Sequence, residues 1–388
     1  MNQKNKIKVL FLSAWYPNRY DAMAGLFVRK HAEAVSLYCD VKVLYVHGDR
    51  NINNFEIVRH KHVDIEEITV YYPTTGMFLF RYLNYFFAYI KGFKKIMARM
   101  DFNVDILHAN ILTRTVFIAW CYKLFTKTPY VISEHWSRYL PERNGYHGFL
   151  RKTITGIVTK SASAILPVSA TLKKAMLENG IKHTNFKIIH NVVDDFFYQK
   201  QEKKTTTTTT RFLHVSCFDE QAKNIKGILK ATKELLNRRT DFELCIIGTG
   251  IDYDDVFNYY KSLGFPDKKV LFLGEKSPVE VAAWFASSDC FVLFSNYETA
   301  GVVIAESLVC GKPVISTPVG IATEFINDKT GIIVKKDDYS SLTDAMEFFI
   351  DNAKTFNPET IREYSSLFSY RTVGNEIAKV YNQILLKS

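Results

Sequence analysis

The sequence lacks any closely spaced pair of cysteines. Its six, at positions 39, 121, 217, 245, 290 and 310, are scattered without a CxxC, and most lie in apolar runs such as Glu243 to Gly248 (ELCIIG). That pattern excludes a disulfide framework and a cysteine zinc site. It fits reduced thiols serving as small hydrophobes in a cytosolic chain. Long apolar runs are missing too. No uncharged stretch approaches the roughly 18 residues of a transmembrane helix. Near the start, the apolar run is only Val9 to Leu12 before Ser13 and a proline, which reads as a first strand rather than a signal peptide.

Core material, by contrast, is plentiful. With 388 residues and 47% hydrophobic composition, the chain exceeds what one core usually fills, so two globular domains are expected. Charge is unevenly divided: residues 1–200 carry 28 Lys+Arg against 15 Asp+Glu, a balance of +13, and residues 201–388 carry 22 against 25, or −3. Such asymmetry suits an anionic partner for the first half, a membrane surface or nucleic acid, or else a solvated basic face. No nucleic-acid module or aromatic-basic RNP pattern accompanies it, which sets nucleic acid aside. The clearest compositional break is Gln199 to Arg211, QKQEKKTTTTTTR, which specifies no packed element and marks a surface loop near a domain boundary. An N-terminal domain over 1–198, a linker over 199–210 and a C-terminal domain over 211–388 follow, the last helix being able to pack back on the first domain.

Short apolar runs alternate with amphipathic stretches on both sides of that break. Strands are expected at Ile7–Ser13, Asp40–Val46, Asp105–Ala109, Tyr130–Ser133, Ala164–Val168 and Lys187–Ile189. Beyond the break they are expected at Arg211–Ser216, Phe242–Ile247, Val270–Leu273, Cys290–Phe294, Pro313–Ser316 and Gly331–Val334. Between most of them lie helical patterns such as Ile228, Leu229, Thr232 and Leu235. The alternation predicts two α/β units with parallel sheets, each covered by helices on both faces. Ligands in such sheets bind at the carboxyl ends of the strands, so two facing units enclose a cleft.

The stretch Glu298 to Pro313, ETAGVVIAESLVCGKP, sets Glu306 among Val303, Ile304, Ala305, Leu308 and Val309. A glutamate so flanked needs a polar partner. Either a lysine pairs with it and Glu298 merely caps the helix, or both carboxylates meet a ligand. The longer run Cys290 to Gly320, with two glutamates eight positions apart, Gly301 three after the first and the turn Gly311-Lys312-Pro313, resembles the donor-nucleotide motif of the GT-B retaining glycosyltransferases of family GT4. The resemblance covers nearly the whole chain, through KVLFLSAWYPN, DILHAN, ISEHWS and IHNVVD, then HVSCFDEQAKN, LCIIGTG and VLFLGEKSP. It implies a GT-B architecture: two Rossmann-like, doubly wound domains facing across a cleft, acceptor on the first and nucleotide-sugar on the second.

From the residues themselves, Ser295 to Gly301 leaves a strand and enters a helix. Unpaired backbone N–H groups near Gly301 and Val302, with the helix dipole behind them, suit a diphosphate; the adjoining Thr299 and Ala300 are counted as donor contacts with them. The resemblance implies that Glu306 accepts both ribose hydroxyls, that Glu298 lies nearer the sugar in a catalytic role, and that Lys223, with Asn224 beside it, neutralises the pyrophosphate. Cys217 stands where the family has an arginine, so a bidentate phosphate contact is missing; Lys226 is the nearby cation that could compensate. Gly25, in AWYPNRYDAMAGLFVRKHAEA, matches the close-approach glycine of the first loop, although the usual glycine pair is reduced to one. His135, in VISEHWSR, matches a histidine facing the transferred sugar; a satisfied loop histidine is the plain alternative.

Residues 78–99, FLFRYLNYFFAYIKGFKKIMAR, join an aromatic run to Lys91, Lys94, Lys95 and Arg99. They suit either the surface of an anionic bilayer, where lipid-linked acceptors reside, or a core helix with a basic solvent edge. The resemblance implies a retaining transfer from a nucleotide diphosphate sugar, with a UDP-sugar favoured, to a glycan or lipid-linked acceptor in cell-surface polysaccharide or lipopolysaccharide assembly. It implies no metal and no cofactor, and no DxD-type pair is evident in a loop where a metal would be needed. The expected location is cytoplasmic, peripheral to the membrane's inner face. A nucleotide-sugar epimerase of the same architecture and a non-catalytic nucleotide-sugar-binding subunit are the alternatives.

Overall fold

The computed structural model describes residues 6–75, 78–98, 103–199 and 209–387. Arg99 and residues 200–208, most of the expected linker, lie outside them. The first half folds its apolar runs into β1 (Lys8–Ser13), β2 (Asp40–Asp49), β3 (Glu56–His62), β4 (Ile65–Pro73), β5 (Ile106–Asn110), β6 (Tyr130–Glu134) and β7 (Ala164–Pro167). They form one sheet in the order β3-β4-β2-β1-β5-β6-β7. The second half gives β8 (Thr210–Val215), β9 (Phe242–Ile247), β10 (Val270–Phe272), β11 (Cys290–Leu293), β12 (Val314–Ser316) and β13 (Gly331–Ile333), in the order β10-β9-β8-β11-β12-β13. All neighbours in the second sheet are parallel. Runs such as Val9–Leu12 and Cys290–Leu293 are buried throughout, as parallel strands covered on both faces require. Both sheets are doubly wound, and their growth reverses between β1 and β5 and between β8 and β11. The crevice beyond the carboxyl ends at such a switch point is where a ligand fits.

Two features of the first sheet differ from expectation. The hairpin β3–β4 was not among the expected strands, and β3 pairs antiparallel with β4. β3 is an edge strand with mostly exposed residues, so it has no apolar run; β4 hides behind Glu66 and Glu67, although Glu67 is buried and held by Arg29 Nε at 3.0 Å and Tyr16 Oη at 2.5 Å. Conversely, Lys187–Ile189 forms no full strand. It reaches β7 only through the Ile165–Phe186 bridge and the amides of Lys187 and Ile189, each donating to a β7 carbonyl at 3.0 Å.

The last helix, Tyr370–Leu385, leaves the second sheet's unit and packs on the Leu26–Ser36 helix of the first. Its Val373, Ile377, Val380, Tyr381 and Ile384 share a core with Val9, Phe11, Val28 and Val35. Tyr381 Oη also meets the buried His108 Nδ1 at 2.5 Å. At Gly374 the helices touch so closely that a Cβ would collide with the carbonyl oxygen of Ala34.

Candidate active site

Two loops converge beyond the carboxyl ends of β8 and β11. Glu298, in the loop after β11, accepts on Oε1 from Ser295 Oγ at 3.0 Å and from Lys223 Nζ at 2.5 Å. Lys223 ends the short Glu220–Lys223 helix that follows β8. Burial acts to lower the lysine's pKa, but the charge and hydrogen bond of Glu298 outweigh it and hold Lys223 above the ordinary lysine value. An ammonium has three donors, so this pair leaves N–H groups for a phosphate oxygen. Cys217 is exposed, so the longer loop has not moved it into the core. Lys226 is not part of this group. Its ammonium is tied to Asp255 at 2.6 Å, and its backbone N–H donates to Glu220 Oε1 at 3.0 Å at the start of the Ile225–Leu236 helix.

Gly301 caps the Val302–Val309 helix with φ +69°, a left-handed conformation that favours glycine. Among the described residues, nothing in the protein accepts from the N–H groups of Val302 or Val303. The preceding loop is anchored from outside: Ser169 Oγ donates to Thr299 O at 2.5 Å, and Ile321 N to Ala300 O at 2.9 Å. Glu306 lies a turn further along this helix. Among the described residues no hydrogen bond or ion pair meets its carboxylate, so the lysine pairing weighed from sequence is absent. Burial pushes its pKa up to about 7, opposed by the charge of Lys30 and assisted by that of Asp194. Lys30 is itself bonded to Asp194 at 2.8 Å.

On the first domain, Gly25 caps the Leu26–Ser36 helix at φ +61°, and any Cβ there would collide with the Trp15 carbonyl. The close approach expected of this glycine is therefore to its own strand-end loop. His135 follows β6 and is buried between Phe27, with ring centroids 4.4 Å apart, and His31, at 5.4 Å. Among the described residues neither ring nitrogen has a partner, so it is not a satisfied loop histidine. Burial, then the neighbouring His31 and His108, hold its pKa well below the usual value, which keeps the imidazole neutral. Glu134 beside it accepts from the backbone N–H groups of His135, Trp136 and Leu112, each at 2.8 Å, while burial pushes its pKa up to about 7.

The sequence reading passed over what stands next to His135. A cavity of about 780 Å³ is lined by Ser13, Trp15, Arg114, Trp136, Arg138 and Arg151 among others. Its signal was the position of Arg114 and Arg138 shortly after the carboxyl ends of β5 and β6. Among the described residues no three His, Cys, Asp or Glu side chains are grouped to hold a metal ion.

Two family models divide the chain between them: residues 32–195 match Glycosyltransferase Family 4 and residues 195–365 match Glycosyl transferases group 1. The chain belongs to the GT-B glycosyltransferases of family GT4. The glycosyltransferase is 25% identical over 285 residues, 72% of its length and 76% of the relative's, to an uncharacterised glycosyltransferase of Methanocaldococcus jannaschii. It is also 25% identical over 268 residues, 68% of its length and 71% of the relative's, to the N-acetylgalactosamine-N,N'-diacetylbacillosaminyl-diphospho-undecaprenol 4-alpha-N-acetylgalactosaminyltransferase of Campylobacter jejuni. Among solved structures, Anabaena HepE in complex with UDP and glucose superposes with a TM-score of 0.72 at 17% identity, over 97% of this chain and 99% of that one. That likeness shows the glycosyltransferase's two-domain fold.

Proposed function

We propose that this glycosyltransferase moves a sugar from a nucleotide diphosphate sugar, a UDP-sugar in the first instance, to an acceptor hydroxyl with retention at the anomeric carbon. The observation that carries the reading is Glu306: a half-buried carboxylate with no partner among the described residues, on the helix whose N-terminal N–H groups follow the Lys223–Glu298 pair. A carboxylate there accepts two ribose hydroxyls; the helix N-terminus and Lys223 take the diphosphate. Glu298 lies toward the sugar, and neutral His135 offers it a hydrogen bond from the facing domain. The acceptor oxygen forms its bond to the anomeric carbon on the face from which the diphosphate leaves. As the carbon–oxygen bond to the diphosphate breaks, the acceptor's proton passes to the departing phosphate oxygen.

No metal enters this scheme, because lysine and backbone dipoles meet the developing charge. The UDP bound to HepE and the diphospho-undecaprenol substrate for which the Campylobacter relative is named support the choice of donor and a lipid-linked glycan acceptor in envelope polysaccharide assembly. Exposed Phe80, Leu83, Phe87 and Ile90, spaced along one face of the Phe78–Met97 helix and followed by exposed Lys91 and Lys94, support peripheral attachment to an anionic bilayer.

Incubation with UDP-sugars, a lipid extract and no added metal tests the reading. Release of free UDP that depends on the extract, with the sugar recovered in the α configuration of the donor, is the expected result. An isomerised donor without any acceptor would replace the transfer by epimerisation, and UDP binding without turnover would replace it by a binding role.

A further inference from the structure

The cavity beside His135 has a wall that nucleotide binding does not explain. Arg114, Arg138 and Arg151 line it, and no aspartate or glutamate does. Among the described residues none of the three arginines has a carboxylate partner. Arg114 lies over Tyr85, 4.9 Å from the ring centroid, and Arg138 over Trp136 at 3.0 Å, with its Nε buried and unpartnered. Rings that hold the faces of guanidinium groups leave the N–H edges for phosphate oxygens. The rest of the wall is dominated by aromatic side chains, and the volume of about 780 Å³ falls within the range of organic-ligand pockets rather than that of a lone anion. Ser13 and Trp136, the residue after His135, are part of its lining. Tyr82, Phe86 and Ile154 also line it, from the Phe78–Met97 and Phe149–Ser161 helices, which expose Phe87 and Phe149.

Charge of one sign and an apolar wall in the same cavity describe an anionic amphiphile. We propose that the cavity holds the phosphorylated end of a lipid-linked acceptor, its phosphate or diphosphate between Arg114, Arg138 and Arg151, and its hydrocarbon tail leaving past Tyr82, Phe86 and Ile154. The acceptor role rests on the glycosyl-transfer reading; the ligand chemistry rests on the wall alone.

Farnesyl diphosphate is the probe, titrated into the full chain with UDP saturating so that the nucleotide's own phosphate site is filled. Binding is read by the fluorescence of Trp15 and Trp136, with pyrophosphate and farnesol as half-ligands and phosphatidylglycerol vesicles as the headgroup control. The diphosphate lipid should bind at least tenfold more tightly than either half-ligand. An Arg114→Gln/Arg151→Gln double variant, at two exposed positions where folding is not at stake, should weaken it tenfold or more, and Arg138→Gln provides a third probe if its melting curve is intact. Pyrophosphate or farnesol binding as well as the whole molecule overturns the proposal. So does equal loss of vesicle binding in the double variant, which would make the cavity a reader of bilayer headgroups. UDP affinity is measured separately. If UDP binds and farnesyl diphosphate does not, the acceptor inference alone fails; if UDP does not bind, the donor reading fails and the lipid result stands by itself.

Discussion

If Glu306 holds the ribose as proposed, its pKa of about 7 makes nucleotide binding depend on pH in a defined direction. Only the ionised form accepts from both ribose hydroxyls, so protonation must be undone before binding. Affinity for UDP-glucose, whose diphosphate does not titrate in this range, should therefore rise roughly tenfold from pH 6 to pH 8 and level off above. Glu306→Gln should lower affinity by about 1 to 3 kcal/mol and remove the pH step. Titration calorimetry at three pH values checks both; unchanged affinity in the variant would remove Glu306 from the site. At Cys217 the exposed position allows a second test. Cys217→Arg should leave the melting temperature near that of the parent, since an exposed guanidinium meets no desolvation cost, and should keep or improve UDP-sugar affinity by gripping two phosphate oxygens. A folded variant with sharply weakened affinity would contradict the phosphate site. Sequence could mark Glu298, Glu306 and Lys223 because their spacing matches a motif. It could not show that Lys223 and Glu298 bond to each other, or that Asp255 takes Lys226, because those partners are brought together by the parallel pairing of β8 with β11 and the packing of neighbouring helices.

Loops and helices carry the next set of consequences. If Lys223 meets the diphosphate as proposed, Lys223→Ala should reduce transfer far more than Lys226→Ala, because the first would remove a phosphate donor and strands Glu298, while the second breaks only an outward pair with Asp255. Comparable losses of turnover in the two variants would sink the assignment. The Phe78–Met97 helix answers why periodicity left two alternatives open. Its inner face buries Tyr85, Ala88, Tyr89 and Ile96, yet its outer face also carries large apolar side chains, so no polar stripe distinguished core from surface. If the outer stripe and its lysines meet a bilayer, co-sedimentation with phosphatidylglycerol vesicles should weaken as salt rises, since the charge attraction is screened. Equal sedimentation with neutral vesicles at every salt concentration rules this out.

Over the whole molecule, the parallel strands could be read from sequence because burial on both faces writes them as unbroken apolar runs. β3 and β4 escaped because an exposed edge strand and a strand with a buried Glu67 both look polar. The docking of the last helix could be raised as an option but not placed, since what fixes it is the contact between Gly374 and Ala34, 340 residues away in sequence. Gly374→Leu should force that contact apart, and a core overpacked in this way loses about 1 to 3 kcal/mol or more, seen as a lowered melting temperature. An unchanged melting curve would mean the helix does not bear on the first domain in solution.

That helix also decides how the glycosyltransferase can be recombined with its relatives. A hybrid joined only within residues 199–210 takes Tyr370–Leu385 from one parent and Leu26–Ser36 from the other, so two surfaces shaped separately would have to meet at a glycine that tolerates no side chain. Exchanging the C-terminal half therefore requires a second junction just ahead of Tyr370, so that the chain's final segment stays with the N-terminal parent.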